Sequence, residues 1–331
     1  MKLGVTYSAF EGITELLEQS ILSIRENTDY INVMYQDTSW RGMKILDSDL
    51  QTLLRLKQIG LIDDLYLYSI NEFSSLHNDA LQIYERHKRL IGINRVKMAG
   101  CDHVLIMDSD EFYLPKQFKE AKDIIDREEI ERSFVPYHTI LNQPYFRVNL
   151  GIRRFTSFIN RCDIVIDDRR FNSCNIKGGV EIDKTRVFCF DAKKEYLFNL
   201  SELTMFHMLG VRKDLYRKFF NNTGSPYEKT LNVIKDIRDI NQKNLTYSDR
   251  YNPPPRKVEI IPNYFNIKEF AFTDSSSPII NHTYLNKPVY NPPPPLKPIH
   301  PVTTPQFKTH EEFLKNVKRP KNQWMAGFMV F

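Results

Sequence analysis

Val104-Leu105-Ile106-Met107-Asp108-Ser109-Asp110-Glu111-Phe112 is the stretch that decides the fold class of this chain. Four apolar residues in succession, without polar alternation, are the pattern of a strand buried on both faces, as at the centre of a parallel sheet. The run stops abruptly on two aspartates. In open α/β sheets, ligands bind in the crevice beyond the carboxyl ends of the strands, so Asp108 and Asp110 are expected to project into a binding site. The letters Asp-x-Asp alone are a weak pattern. Asp47-Ser48-Asp49 carries them too, but there Ser48 and Gln51 have capping-box spacing ahead of Leu53, Leu54 and Leu56, and a helix start needs no metal.

Upstream of the motif, short β-rich runs alternate with longer helical patterns, the signature of parallel strands joined by helical crossovers. Leu3 to Tyr7 reads as a strand, and Ile13, Leu16, Leu17, Ile21 and Ile24 recur at helical spacing. Ile31 to Tyr35 is a second apolar run that stops at Gln36-Asp37, and Leu65 to Tyr68 is a third. Leu76 to Ala99 has helical periodicity and ends at Gly100, a helix-terminating residue. Four strands and three crossovers predict a nucleotide-binding α/β half. Neither Gly-x-Gly-x-x-Gly nor Gly-x-x-x-x-Gly-Lys-Ser/Thr occurs there, which removes the main support for dinucleotide and P-loop classes.

Downstream, the pattern predicts strands at Ser133 to Tyr137 and Thr185 to Phe190, and helices at Lys213 to Phe220 and Glu228 to Ile240. From Tyr251 the composition shifts to proline, with Asn252-Pro253-Pro254-Pro255 and Asn291-Pro292-Pro293-Pro294-Pro295 as extended stretches ahead of a short terminal helix near His310 to Lys318. The expected organisation is a catalytic domain over residues 1–240, with a donor-binding half of about 1–115 and an acceptor-side half of about 116–240. A proline-rich extension occupies 241–331.

Hydrophobic residues make up 41% and charged residues 26% of the 331, enough to bury a substantial core and to exclude wholesale disorder. The net charge of +5 is modest and selects no partner by itself. The first residues reach Glu11-Gly12 too soon for a signal-peptide apolar region, and no apolar run approaches membrane-spanning length. The expectation is therefore a cytoplasmic protein without a membrane span. Cys101, Cys162, Cys174 and Cys189 form no Cys-x-x-Cys pair and read as reduced core thiols.

The motif and its flanks carry a resemblance. Asp108-Ser109-Asp110-Glu111-Phe112 after Val104 to Met107 resembles the Asp-x-Asp site of GT-A glycosyltransferases. The opening, Leu16 to Ile24 with Asn32 to Gln36 and Asp37-Thr38-Ser39 after it, is similar to that of family 2-like members. The resemblance implies a GT-A fold, a mainly parallel sheet flanked by helices, and a nucleoside diphosphate sugar as donor, of the UDP-sugar kind. It places Asp37 at the position that contacts the nucleobase, with a turn or cap role as the alternative. It places Lys88 and Arg89, on the helix before the motif, beside the donor phosphates, although a basic turn on an exposed helix face reads the same way.

Met205-Phe206-His207-Met208-Leu209-Gly210-Val211-Arg212-Lys213 also resembles a family pattern, the late His-x-x-Gly-x-x-Lys of retaining family 8 enzymes. That similarity implies His207 as a metal ligand with Asp108 and Asp110, and Gly210 and Lys213 against the diphosphate. The ion would be Mn²⁺ or Mg²⁺, since hard divalent ions suit carboxylates and phosphate oxygens, and a neutral imidazole suits Mn²⁺. An inverting reaction also needs a carboxylate base, for which Asp183 and Glu181 in Lys177-Gly178-Gly179-Val180-Glu181-Ile182-Asp183 are the candidates.

The implied activity is transfer of a hexosyl or pentosyl unit to an acceptor hydroxyl on a glycan, a protein or a nucleic acid. Arg147, Arg153, Arg154, Arg161, Arg169 and Arg170 interleave with Tyr145, Phe146, Phe155, Phe158 and Phe171, a mixture that raises DNA as an acceptor. The competing class is a GT-A-like module that binds glycan or nucleic acid without catalysis. Sugar nucleotidylyltransferases rank third, because Ser8-Ala9-Phe10-Glu11-Gly12 lacks their glycine-rich loop.

Overall fold

The expected alternation closes into a mixed α/β fold with a mostly parallel central sheet flanked by helices. The structure, a computed structural model, describes residues 1–9, 14–39, 44–69, 78–148, 154–164, 181–182, 186, 188, 192–220, 227–248 and 255–270. The parallel half contains β1 (Leu3–Ser8), α1 (Thr14–Ile24), β2 (Tyr30–Tyr35), α2 (Asp47–Gln58), β3 (Asp64–Leu67), α3 (Asn78–Met98) and β4 (His103–Asp108). The strands lie in the order β3-β2-β1-β4, all parallel.

The buried residues of β1 and β4 explain why helices cover both faces. Leu3, Val5 and Tyr7 share one apolar cluster with Leu17 and Ile21 of α1 and with Leu105 and Met107 of β4. Val104 and Ile106 join Leu90, Ile93 and Val96 of α3 in another. Successive side chains of a strand point to opposite faces, so a continuous apolar run needs a helix on each side. On the α3 side the packing is close enough to require glycine. A Cβ on Gly4 would lie 2.3 Å from Val96 Cγ1, and one on Gly92 would lie 2.0 Å from Thr6 Oγ1.

The second half extends this sheet with mixed strand directions. It comprises β5 (Glu111–Tyr113), α4 (Pro115–Arg127), β6 (Arg132–Leu141), β7 (Phe146–Val148), β8 (Arg154–Arg161), β9 (Glu181–Ile182), β10 (Glu195–Leu197) and β11 (Met205–Gly210). It ends with α5 (Leu215–Phe220), α6 (Tyr227–Arg238), β12 (Thr246–Tyr247) and β13 (Arg256–Ile260). Beyond β4 the sheet runs β8-β6-β7-β13-β12, with β11 bonded to both β5 and β6. The sheet therefore continues past residue 240: β13 pairs with β7, and Val258 joins Leu141, Phe146 and Ile237 in a buried cluster. The stretches Asn291 to Pro295 and His310 to Lys318 lie outside the described residues.

Two expectations change on contact with the structure. The start of α2 is not a Ser48 capping box: its N-cap is Leu46, without a side-chain cap, and Ser48 sits inside the first turn. Asp49 instead accepts a hydrogen bond from the Thr14 hydroxyl of α1, which ties the start of α2 to α1. In the arginine and aromatic mixture, Phe146, Phe155 and Phe158 are core residues, Arg147 pairs with Glu259 and Arg161 with Asp163. Phe171, Arg153, Arg169 and Arg170 lie outside the described residues. Among the described residues, no helix is long and apolar enough to cross a membrane.

Candidate functional site

Strand order fixes where the site lies. β1 has β2 on one side and β4 on the other, and the crossovers from these strands leave in opposite directions, which opens a crevice above the carboxyl ends of β1 and β4. Ser8, the last residue of β1, is in register with Asp108, the last residue of β4. The chain then turns through Ser109 and Asp110 and enters β5, which pairs antiparallel with β11 so that Glu111 faces His207. The motif is thus a strand-turn-strand. Two further bonds fix the turn: Met208 N donates to the Asp110 carbonyl at 2.8 Å, and the Ser20 hydroxyl of α1 donates to the Glu111 carbonyl at 2.6 Å.

Each acidic side chain of the motif meets a cation. Asp108 lies between Arg89 Nη2 at 3.3 Å and Arg186 Nη2 at 2.5 Å. Arg186 also reaches Glu111 at 2.6 Å, and Arg89 reaches Glu85 at 2.7 Å. Asp110 Oδ2 accepts from Arg212 at 2.7 Å and from Lys218 at 2.9 Å, while His207 Nε2 stands 3.7 Å away. Arg89, Arg212 and Asp110 have side chains no more than 1% exposed, and Asp108 is the open member at 26%.

Burial works to raise the Asp110 carboxyl, but Lys218, Arg212 and His207 together overrule it and hold the group well below the usual carboxylate range. The same contest at Asp108 is won by Arg186 and Arg89, and that carboxyl is lowered too. At Glu111 it goes the other way: burial, helped by the neighbouring Asp108 charge, outweighs Arg186 and raises the carboxyl. Two polar atoms of the turn are buried without a hydrogen-bond partner, Asp110 Oδ1 and Ser109 Oγ. An orphaned carboxylate oxygen in a buried site is a strong acceptor awaiting a donor or an ion.

That oxygen tests the metal expectation. Among the described residues, no three His, Cys, Asp or Glu side chains converge as a metal cluster. The orphaned Asp110 Oδ1, on a carboxylate whose other oxygen lies 3.7 Å from His207 Nε2, nevertheless leaves the Asp110 carboxylate and the His207 imidazole as two neighbouring donor groups. Such a pair fits Mg²⁺ or Mn²⁺, ions commonly held by one or two protein groups with phosphate and water completing the shell. Asp108 contributes to it only by releasing its guanidinium partners.

The other residues expected at the site occupy varied positions. Asp37 is exposed just past β2, and its carbonyl accepts from Ile45 N. Lys88 is buried, and its ammonium donates to the Ala9 carbonyl at 2.7 Å and to Gln36 Oε1 at 3.0 Å, tying the ends of β1 and β2 together. Burial pushes that amine down to about 7. Neither Lys88 nor Arg89 belongs to an exposed basic turn. Gly210 ends β11 and packs closely on β6, where a Cβ would lie 3.0 Å from Leu141 Cδ2.

The lysine that reaches Asp110 is Lys218, whereas Lys213 is exposed and its backbone N donates to Glu15 Oε2. Lys213 lines a cavity of about 530 Å³ with Thr14, Asp49, Thr52 and Arg217, on the α1 and α2 side. Asp183 lies outside the described residues, as do Asp167 and Asp168, and Glu181 begins β9. Sequence reasoning missed Glu111, Arg186, Arg212 and Lys218 as members of the site. Arg212 and Glu111 adjoin the two motifs and carried that signal; Arg186 carried none.

No protein-family model matches this chain, and no curated protein does. Among solved structures, residues 1–349 of TarS from S. aureus match at a TM-score of 0.38 and 14% identity, over 66% of this chain and 63% of that one. The same protein in complex with UDP-GlcNAc matches at 0.38 and 13% identity, over 72% of each chain. In complex with UDP it matches at 0.39 and 14% identity, over 71% of each. This chain thus spans under two thirds of the first of these structures. Likenesses this distant assign this chain no activity and no ligand.

Proposed function

We propose that this chain is a GT-A-type glycosyltransferase that moves a hexosyl or pentosyl unit from a nucleoside diphosphate sugar, of the UDP-sugar kind, to an acceptor hydroxyl. The observation that carries the proposal is the position of Asp108 and Asp110 at the β1/β4 switch point, with Asp110 Oδ1 buried and unpartnered and His207 close by. A bound Mn²⁺ or Mg²⁺ would supply charge stabilisation for the departing diphosphate. Asp110 and His207 are the residues that would hold it, with Asp108 as the third member.

This chain's own groups have defined parts in that scheme. Arg212 and Lys218 fix the Asp110 carboxylate in one orientation and keep it ionised. Arg186 and Arg89 bring positive charge to the place where phosphate oxygens would lie, which guanidinium groups bind in a fork geometry. Lys88, by joining Ala9 to Gln36, sets the spacing of β1 and β2 beneath the nucleotide, and Asp37 stands at the rim proposed for the base. Asp183 is proposed as the base of an inverting transfer, and the acceptor as a glycan, a protein or a nucleic acid, DNA included.

The complete pairing of Asp108 with guanidinium groups favours one second reading, a GT-A-like module that binds without catalysis. One experiment separates the two. The protein is incubated with Mn²⁺ and each of a panel of nucleoside diphosphate sugars, and release of free nucleoside diphosphate is measured against Asp110→Asn and His207→Ala. Release from one donor that both variants abolish supports the transferase. Release unaffected by either variant removes the proposed site, and silence with every donor favours the binding module.

A further inference from the structure

Four cations and four carboxylates meet at the motif: Arg89 with Glu85 and Asp108, Arg186 with Asp108 and Glu111, and Arg212 and Lys218 with Asp110. Within these contacts among the described residues, each carboxylate already faces at least one cation. The carboxylates are therefore not a ready-made cation site, although their letters and position suggest one. A divalent ion entering alone would add two positive charges beside guanidinium groups that are 1% and 5% exposed, where solvent screens little. A diphosphate entering alone would meet Asp108 and Asp110 with their charges intact. The diphosphate of a sugar nucleotide and a divalent ion carry equal and opposite charge, so only together do they leave the net charge of the buried set unchanged.

We infer that the site takes the metal ion and the diphosphate as a pair, through an exchange in which Arg186 passes from Asp108 to the diphosphate and Asp108 turns to the ion. The inference rests on the transferase reading and names how its donor is admitted. Arg186 is the residue placed for the exchange. A second partner, Glu111, is anchored in β5 and also accepts from Asp108 N, so the guanidinium keeps that tether while its contact with Asp108 is released. Asp108 is the most open carboxylate of the motif, the side from which an ion and a phosphate would approach. Arg212 has no such freedom: it is wholly buried against Asp110. Arg186 is thus a donor-binding residue with a second task, keeping the empty motif from gathering ions.

The test uses the full chain and Mn²⁺ binding monitored by loss of the free-ion paramagnetic signal, with and without UDP, in the wild type, Arg186→Met and Arg186→Lys. Wild type is expected to bind Mn²⁺ at least tenfold more tightly when UDP is present. Arg186→Met is expected to bind Mn²⁺ alone about tenfold more tightly than wild type, because Asp108 loses the nearer of its two guanidinium partners and keeps only the longer contact with Arg89. It should bind UDP in the presence of Mn²⁺ about tenfold more weakly. Arg186→Lys, which keeps the charge, should stay within a few-fold of wild type for Mn²⁺ alone.

Equal Mn²⁺ affinity with and without UDP in the wild type overturns the exchange while leaving a nucleotide-binding transferase standing. Arg186→Met affinities that move together, or not at all, overturn it as well. If Arg186→Met does not fold, the wild-type comparison and Arg186→Lys decide alone. Failure of UDP, and of each other nucleoside diphosphate, to bind wild type with Mn²⁺ removes the transferase reading and the exchange with it.

Discussion

Substituting Gly92 by alanine is predicted to destabilise the protein, although alanine is the better helix former. Gly92 lies in the middle of α3, where replacing glycine by alanine ordinarily gains about 1 kcal/mol. Here the added methyl would sit 2.0 Å from Thr6 Oγ1 and 3.1 Å from Met34 Cγ. Thr6 has little room to yield: it is 2% exposed, and its hydroxyl donates to Asn32 Oδ1 at 3.1 Å within a buried pair. Either α3 lifts from the sheet, an overpacking penalty of about 1–3 kcal/mol, or Thr6 rotates and leaves the buried Asn32 oxygen unpaired, at about 1–3 kcal/mol.

Subtracting the helical gain leaves a net loss of up to about 2 kcal/mol, from the overpacking term less the propensity term. Urea unfolding of the wild type, Gly92→Ala, Thr6→Ala and the double variant measures it. The double variant removes the oxygen that the methyl meets, so the two substitutions should couple by about 1 kcal/mol or more in the favourable direction. A Gly92→Ala variant more stable than wild type, or strict additivity in the cycle, would refute the reasoning. Arg89 precedes Gly92 by one turn, so lifting α3 should also loosen the contact with Asp108.

Buried charge leads to three further outcomes. Lys88 titrates at about 7 in the fold, whereas an unfolded lysine titrates near ~10.4. Between those values the unfolded chain binds more protons, so stability should rise with pH by roughly 1.4 kcal/mol per unit, and urea unfolding between neutral and mildly alkaline pH should lose that slope in Lys88→Met. Arg212→Met strips a buried carboxylate of one of its two close cationic partners and should lower stability by about 3–5 kcal/mol. The same change at Arg161, whose pair with Asp163 is largely exposed, should cost under ~1 kcal/mol, and equal losses would contradict the burial argument. His138, pushed down to about 4 by burial and the Arg147 charge, should stay uncharged in the fold at neutral pH, with NMR titration of its ring as the check.

The first half was legible because its physics is local. A both-sides-buried strand writes itself as Val104 to Met107, and the crossover helices show their periodicity without help. The observed β4 and α3 differ from the expected bounds by one or two residues, the scale on which helix and strand ends fray. The helix expected from Lys213 begins at Leu215 and that expected from Glu228 begins at Tyr227. The tertiary half was not legible. β11 is a strand because it finds β5 and β6 as partners, a fact settled some seventy to ninety residues away in sequence.

The candidate site divides in the same way. Asp108 and Asp110 were visible as the polar end of an apolar run. The cations that neutralise them come from α3, α5, the residue after Val211 and the isolated Arg186, and no spacing in the sequence connects these positions. Only Arg212 and Glu111 gave a hint, through adjacency to motifs singled out for other residues. Lys213 was preferred to Lys218 because spacing alone is blind to which way a chain turns after a strand ends.

The pairing of β5 with β11 places the two signs of charge on different parts of the chain. Asp108, Asp110 and Glu111 are synthesised well before Arg186, Arg212 and Lys218, and a nascent chain folds from its beginning. A ribosome-bound chain that has emerged only as far as α4 would hold its acidic turn without three of its four counter-charges and without the strand that pins Asp110 in place. Closure of the site is therefore a late event of biosynthesis, and a prematurely ended chain would carry its acidic turn unneutralised.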